Sequence, residues 1–164
     1  MGPLGRLAFL LCGDRHLAED LVQSCLINLY LVWHRIRQPE RVDGYVRQVL
    51  LRCWLNETRR AWRKRERRDG IVPDLVDPRG DPVEGAANKE MREVLAKALA
   101  CVPPKQRAAV VLRYWSQLSV AETAKILRCS EGTVKSQSAR GLTALREALA
   151  GHGINLASVK ELTA

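Results

Sequence analysis

Residues 69–85 constrain this chain more than any other stretch. They hold Pro73, Pro78 and Pro82 together with Gly70, Gly80 and Gly85. Proline lacks a backbone N–H and clashes with the turn before it, and glycine costs about 1 kcal/mol inside a helix, so no regular element crosses this stretch. Its acids are Asp69, Asp74, Asp77, Asp81 and Glu84, against one base, Arg79. The chain of 164 residues is thereby divided into a unit at 1–68, an acidic linker at 69–85, a second unit at 86–150 and a tail at 151–164. Units this short have room for only modest cores.

Both units read as helical. In the first, Ala18, Leu21, Val22, Cys25, Leu29, Val32, Trp33 and Ile36 recur at three- and four-residue steps. Asp14 can cap that helix, Pro39 marks its end, and Trp33 falls on its apolar stripe as a core residue. A second helix starts after Asp43 and runs through Tyr45, Val46, Val49, Leu50, Cys53 and Trp54. Trp54 reads as core, whereas Tyr45 suits either core or nucleic acid. The apolar face then gives way to Arg59-Arg60-Ala61-Trp62-Arg63-Lys64-Arg65-Glu66-Arg67-Arg68. Beyond the linker, Met91, Val94, Leu95, Ala98, Leu99 and Val102 keep helical spacing until Pro103-Pro104, and Pro104 can open the next helix, where its missing N–H is harmless. Val110-Val111 is too short to signal a strand. The fold class is all-α: two small helical domains joined by a flexible acidic linker, the second a four-helix unit.

Arg6 followed by the apolar Leu7–Cys12 imitates an export signal, but the stretch is shorter than the usual ~7–15-residue apolar segment and Leu11 stands where a small residue is expected. It reads as the end of an amphipathic core helix. No apolar run approaches the ~20 residues of a membrane span. Cys12, Cys25, Cys53, Cys101 and Cys129 form no CxxC pair, and His16, His34 and His152 stand in no ligand spacing with them. They read as small buried hydrophobes in a reducing cytoplasm. No paired carboxylates, nucleophile–base pair, phosphate-binding loop or metal cluster emerges, so the expectation is a protein that is not an enzyme and needs no cofactor.

Charge gives the class of partner. The chain has 27 Lys+Arg against 18 Asp+Glu, a net +9. Residues 1–68 carry 14 bases and 7 acids, residues 69–85 carry 1 and 5, and residues 86–164 carry 12 and 6. Two basic units around an acidic tether fit a polyanion held at two points better than a membrane surface.

The most specific local pattern lies between Ser119 and Leu149. Ser119-Val120-Ala121-Glu122 has the spacing of a capping box and starts a helix through Leu127. Arg128-Cys129-Ser130 makes a three-residue turn, and Ser130 can cap a helix beginning at Glu131. Ala121 and Ala124 allow close crossing, and Ile126, Leu127 and Val134 fill the angle. This is a helix-turn-helix, whose second helix enters the major groove. That helix offers Glu131, Thr133, Lys135, Ser136, Gln137 and Arg140 for base edges and phosphates.

Pro103-Pro104-Lys105-Gln106-Arg107, Leu112-Arg113-Tyr114 and Ser119 through Ser136 closely resemble the fourth region of the sigma-70 family of bacterial transcription initiation factors. Residues 13–23, the Tyr30–Trp33 block and the basic helix after Tyr45 resemble the family's second region. With only these two regions, the chain looks like the small extracytoplasmic-function type, group IV. The resemblance implies that RNA polymerase core is the partner, met through the β′ clamp helices and the β flap, with promoter DNA and an anti-sigma factor as further partners. It places Glu19, Asp20, Leu21 and Gln23 on the polymerase-docking face. It assigns recognition and melting of the −10 element to Arg52, Asn56, Arg59, Arg60, Trp62, Arg63 and Lys64, with Trp62 as a stacking platform and the loop at 38–43 as a pocket for a flipped base. It gives the helix-turn-helix the −35 element. The linker would thread the polymerase as a phosphate mimic, although its composition alone fits a plain solvated tether.

Departures from the family pattern are local. The family's first helix is longer than the stretch ahead of Cys12. Arg52 stands where Asn is common, Asn56 where Asp is frequent, and Gln137 where Arg follows Ser136. Arg128 replaces a turn glycine that suits a left-handed backbone, at a cost of about 1 kcal/mol if that conformation is kept. The reading is a sigma factor that directs promoter recognition and opening; the alternative is a stand-alone helix-turn-helix regulator acting without polymerase.

Overall fold

The computed structural model describes residues 2–35, 42–66 and 86–151, giving the backbone alone for 35, 61–66 and 86–90. The linker and most of the tail, the loop at 38–41 with Pro39, and Arg67 and Arg68 lie outside the described residues. Among the described residues there are seven α-helices and no strand. None is long and apolar enough to cross a membrane.

The first unit is α1 (Pro3–Cys12), α2 (Arg15–Val32) and α3 (Val42–Glu66). Pro3 sits in the first turn of α1, where no donor is lost. Leu7, Ala8, Leu10 and Leu11 of the signal-like stretch are buried, as a core helix requires. Gly13 closes the helix at φ 75 with its N–H on Phe9 O at 2.8 Å. Asp14 then caps α2, its carboxylate accepting the Leu17 N–H at 2.8 Å. The corner between the two helices is therefore only two residues long.

α2 departs from the expected pattern at its far end. The α-helix stops at Val32 and tightens into a 3₁₀ turn, Trp33–Arg35. Trp33 is 57% exposed, which corrects its assignment to the core. The inward stripe is Ala18, Leu21 and Cys25, with Val22 packed beside it; past Cys25 that stripe continues only as half-buried Leu29 and Val32, while Leu26, Ile27, Tyr30 and Leu31 are exposed.

The second unit is α4 (Ala86–Ala100), α5 (Pro104–Val110), α6 (Val120–Leu127) and α7 (Glu131–Ala150). Pro104 opens α5 as its sequence suggests. Val110-Val111 continues helically into a π-helical turn, Val111–Trp115, in which Val111 and Leu112 are buried. Gly141 of α7 lets α5 come close: a Cβ there would stand 2.6 Å from Val110 Cγ2 and 3.0 Å from Gln106 O.

Both units are present, and they close on each other. α1 and α3 pack against α4, α5 and α6, and Leu11, Leu50, Leu51 and Trp54 share one apolar core with Leu95, Leu99, Val102, Val111 and Leu112. Arg107 of α5, only 8% exposed, spans the seam. Its guanidinium donates to Leu11 O at 2.6 Å, to Ala100 O at 2.7 Å and to Val102 O at 3.1 and 3.3 Å, and lies 5.5 Å from the Trp54 ring centre. Each of the three guanidinium nitrogens thus donates to a backbone carbonyl and the Trp54 ring lies beside the group, which is how a charge is tolerated inside. Burial pushes the Arg107 pKa down to about 10, and the neighbouring Cys12 and Cys101 thiols partly oppose that shift.

Candidate nucleic-acid interface

The helix-turn-helix is built by two caps and one strained residue. The Ser119 hydroxyl accepts the Glu122 N–H at 3.1 Å, and the Glu122 carboxylate accepts the Ser119 N–H at 2.7 Å. Both halves of the capping box are closed. These bonds hold the Glu122 carboxyl below the ordinary carboxylate range, and Lys125 and Arg47 of α3 add to the effect. α6 ends at Arg128 with φ 53 and ψ 51, so arginine does occupy the left-handed turn position. Ser130 caps α7, accepting the Thr133 N–H at 3.1 Å.

Val134, Ser138, Gly141, Leu145 and Leu149 bury the inner stripe of α7. At 100° per residue, Thr133, Ser136 and Arg140 stand opposite that stripe, with Lys135 on one flank, Gln137 on the other, and Glu131 exposed in the first turn at the edge of the stripe. All are exposed except Gln137, which is half-buried. Thr133 Oγ1 pairs with Ser130 Oγ at 2.8 Å and Ser136 Oγ donates to Thr133 O at 3.0 Å, so two of the six polar groups are turned back onto the helix. Lys135, Arg140 and Glu131 are the ones left reaching outward.

Beside α7 the structure adds a cleft that the sequence reading missed. It has a volume of about 380 Å³ and brings Arg113 and Tyr114 of the π-helical turn to Lys135, Ala139 and Arg146. Arg113 stacks over Tyr114 at 5.8 Å and donates to Leu118 O, which fixes the turn leading into α6. Three cations from two elements around one cleft suit a phosphate. Arg113 and Arg146 could have been found by asking which bases flank α7, not only which lie on it.

On α3, Arg52, Asn56 and Arg59 are exposed and recur at steps of four and three, hence along one face, opposite buried Leu50, Leu51 and Trp54. Arg60 is exposed on the flank and pairs with Glu57 at 2.8 Å. Trp62, Arg63 and Lys64 continue the backbone of α3, but their side chains lie outside the description. Trp54 is 3% exposed, core as expected. Tyr45 is half-buried.

Of the expected docking residues, Glu19, Asp20 and Gln23 are exposed on α2, with Glu19 held by Arg15 at 3.3 Å. Leu21 is a correction: at 5% exposure it packs into the core and has no side chain to offer a partner. The same outward face instead carries Leu26, Ile27, Tyr30 and Leu31, exposed by 50%, 63%, 81% and 63%. These residues are in phase with Glu19 and Gln23 and out of phase with the buried stripe, a signal a helical projection of the sequence contains.

A helix-turn-helix closed by two caps, a separate exposed basic helix and an apolar outer face define a DNA-binding protein with more than one macromolecular contact. Comparison with known proteins agrees and sharpens it. Residues 2–64 match the family model of sigma-70 region 2, and residues 92–145 match that of sigma-70 region 4. The chain is 37% identical over 139 residues to the RNA polymerase sigma-E factor of Streptomyces coelicolor, covering 84% of this chain and 75% of that protein. It is 27% identical over 156 residues to the ECF RNA polymerase sigma factor SigM of Bacillus subtilis, covering 94% and 93%. A solved structure of the sigma factor RpoE in complex with the anti-sigma factor NepR, from Bartonella quintana, superposes with a TM-score of 0.72 over 89% of each chain at 25% identity. The chain belongs to the sigma-70 family, among its extracytoplasmic-function members.

Proposed function

We propose that this chain binds RNA polymerase core and directs it to promoters, reading a −35 element through α7 and recognising and opening a −10 element through α3. The observation that carries the reading is the pairing of a doubly capped helix-turn-helix with a second exposed basic helix in one chain. A stand-alone helix-turn-helix regulator needs the first but has no use for the second, nor for a region 2.

In this reading Lys135 and Arg140 address base edges and phosphates, Glu131 and Gln137 supply hydrogen bonding, and Arg113 and Arg146 clamp the backbone beside them. Arg52, Asn56 and Arg59 face the −10 segment, with Arg60, Trp62, Arg63 and Lys64 extending the basic surface. The acidic linker and the loop at 38–43 keep the roles the family resemblance implies. The outward face of α2 docks on the polymerase: Glu19 and Asp20 supply charge complementarity to a basic partner, Gln23 supplies hydrogen bonding, and Leu26, Ile27, Tyr30 and Leu31 supply burial at roughly 25 cal/mol per Å². All of this is binding and positioning, with bond-making left to the polymerase.

Gel filtration with core polymerase, followed by run-off transcription over a random promoter library, tests the proposal. Co-elution and discrete start sites are expected. Tight binding to isolated duplex without co-elution would favour the stand-alone regulator. Ile27→Glu with Tyr30→Glu should abolish co-elution while leaving the fold intact, since neither side chain is in the core; retained co-elution would move the docking face off α2.

A further inference from the structure

Ser138 stands on the buried stripe of α7, is only 6% exposed, and its hydroxyl has no hydrogen-bond partner among the described residues. A helical hydroxyl ordinarily turns back onto a carbonyl three or four residues earlier. Ser136 does so to Thr133 O at 3.0 Å, and Thr143 to Ala139 O at 3.2 Å. Ser138 does not. A buried donor left unpaired is unfavourable and uncommon in a folded chain. Thr123 of α6 has a hydroxyl in the same state but does not line the cleft beside α7, whereas Ser138 does.

That cleft is the one of about 380 Å³ bounded by Arg113, Tyr114, Lys135 and Arg146. Its donors are graded in depth: Lys135 and Arg146 are exposed, Arg113 is half-buried and Ser138 is buried. No carboxylate lines it, so three cations meet there without a counter-charge among the lining residues. The π-helical turn Val111–Trp115 supplies Arg113 and Tyr114 together, and such turns are rare and recur at functional sites. The charge count selects the occupant. A phosphodiester of a DNA backbone carries one negative charge, whereas a terminal phosphate carries about −1.5 to −2 and presents three free oxygens. Three cations around a deep hydroxyl match the terminal group better. The Tyr114 ring, 40% exposed, adds a flat surface beside it, and the volume lies at the small end of the roughly 300–1,000 Å³ of small-molecule sites.

We propose that this cleft binds a small molecule through its terminal phosphate group, held by Arg113, Lys135, Arg146 and the Ser138 hydroxyl, and that the bound molecule excludes −35 DNA. The first part concerns the free chain alone. The second rests on the function given above, because the same three cations are the ones −35 DNA would need. Free phosphate and the phosphate end of a nucleotide share this chemistry, and they differ in whether a ring reaches Tyr114.

Titration calorimetry of the full chain with inorganic phosphate, and separately with adenosine 5′-monophosphate, tests this at an ionic strength held constant with sodium chloride. Saturable binding at one site is expected. Tighter binding of the nucleotide that is lost in Tyr114→Ala makes the source a nucleotide; equal or weaker binding makes it free phosphate. Ser138→Ala should weaken binding about tenfold, the effect of losing one hydrogen bond to a charged group. The Tm of that variant without ligand should not fall, since no bond is lost. Lys135→Gln with Arg146→Gln should abolish binding, and Arg59→Ala on α3 should leave it unchanged. Absence of saturation overturns the proposal, as does unaltered affinity in Ser138→Ala. A lower Tm of unliganded Ser138→Ala also overturns it, by showing the hydroxyl already partnered, and so does equal weakening by Arg59→Ala, which would show diffuse attraction. For the exclusion, holoenzyme binding to a panel of promoters should fall with added phosphate in the unmodified chain and much less in Ser138→Ala; equal falls overturn it. If the holoenzyme binds no promoter, the sigma reading itself fails and the titration alone decides the cleft.

Discussion

Arg128 is the residue whose cost is most plainly displayed. Its φ of 53 and ψ of 51 put an L-residue with a Cβ where glycine is at ease. The turn needs that conformation, since the Cys129 N–H must reach back to Ala124 O at 3.1 Å. Arg128→Gly should therefore stabilise the chain by about 1 kcal/mol, raising Tm by about 2–4 °C. Thermal denaturation followed by circular dichroism measures this, and an unchanged Tm would mean that the arginine side chain recovers what its backbone loses. A second residue-scale effect concerns thiols. Burial pushes Cys12 up to about 12 and Cys25 to about 11 from an ordinary value of 9.0, with Arg107 partly opposing the first shift. Above pH 9 the unfolded chain releases these protons while the folded chain keeps them, so the stability these two thiols contribute is complete below pH 9 and is lost as pH rises toward 11–12, while Arg107, held down to about 10, acts in the opposite sense above pH 10. Urea midpoints at pH 8 and pH 10 should show that decline, and Cys12→Ala with Cys25→Ala should flatten it.

Among the elements, α3 and α7 both present cations, α3 far more of them, with different expected consequences. Arg52 and Arg59 on α3 offer phosphates a row of cations, so replacing both with Ala should weaken holoenzyme binding across sequences and make it less dependent on salt. Lys135→Ala or Gln137→Ala on α7 should instead change which −35 sequences are preferred. Binding of a promoter panel at several salt concentrations separates the two; a uniform loss from the α7 variants would mean that α7 reads only backbone. The element scale also shows where a sequence stops being legible. The caps at Asp14, Ser119 and Ser130, the Pro104 start and the Arg128 turn are set by chemistry within four residues, and each stands where local chemistry puts it. On α2 helical spacing puts Leu21 on the buried stripe correctly but misplaces Trp33, because apolar residues line two of its faces. Helical spacing tells that a stripe exists, while which stripe turns inward depends on α1 and α3, far away in sequence. Of the residues that the resemblance names on α2, Leu21 is buried, and the exposed apolar residues Leu26, Ile27, Tyr30 and Leu31 are not among them.

At the scale of the whole molecule, the Pro- and Gly-rich stretch at 69–85 predicts two units, and nothing local to it predicts that they share a core. Arg107 shows why. In the sequence it is one base in Pro-Pro-Lys-Gln-Arg, and its partners are a carbonyl 96 residues earlier and the ring of Trp54. Such a contact has no spacing signature, because it exists only once two separately formed helical layers meet. If the layers do form one cooperative body, damage on one side of the seam should be felt on the other. Trp54 is the residue to remove, being 3% exposed in the first unit and covered by an arginine of the second. Trp54→Ala should cost about 3–5 kcal/mol, and loss of the ring also leaves the guanidinium beside a cavity. In two independent domains, hydrogen exchange would accelerate in α1, α2 and α3 alone, with α4, α5 and α7 unaffected. In the closed chain, amide protection in α4 and α5 should fall together with that of α3, within one unfolding transition. The pattern of protection across the seam therefore distinguishes two domains that merely touch from one cooperative body.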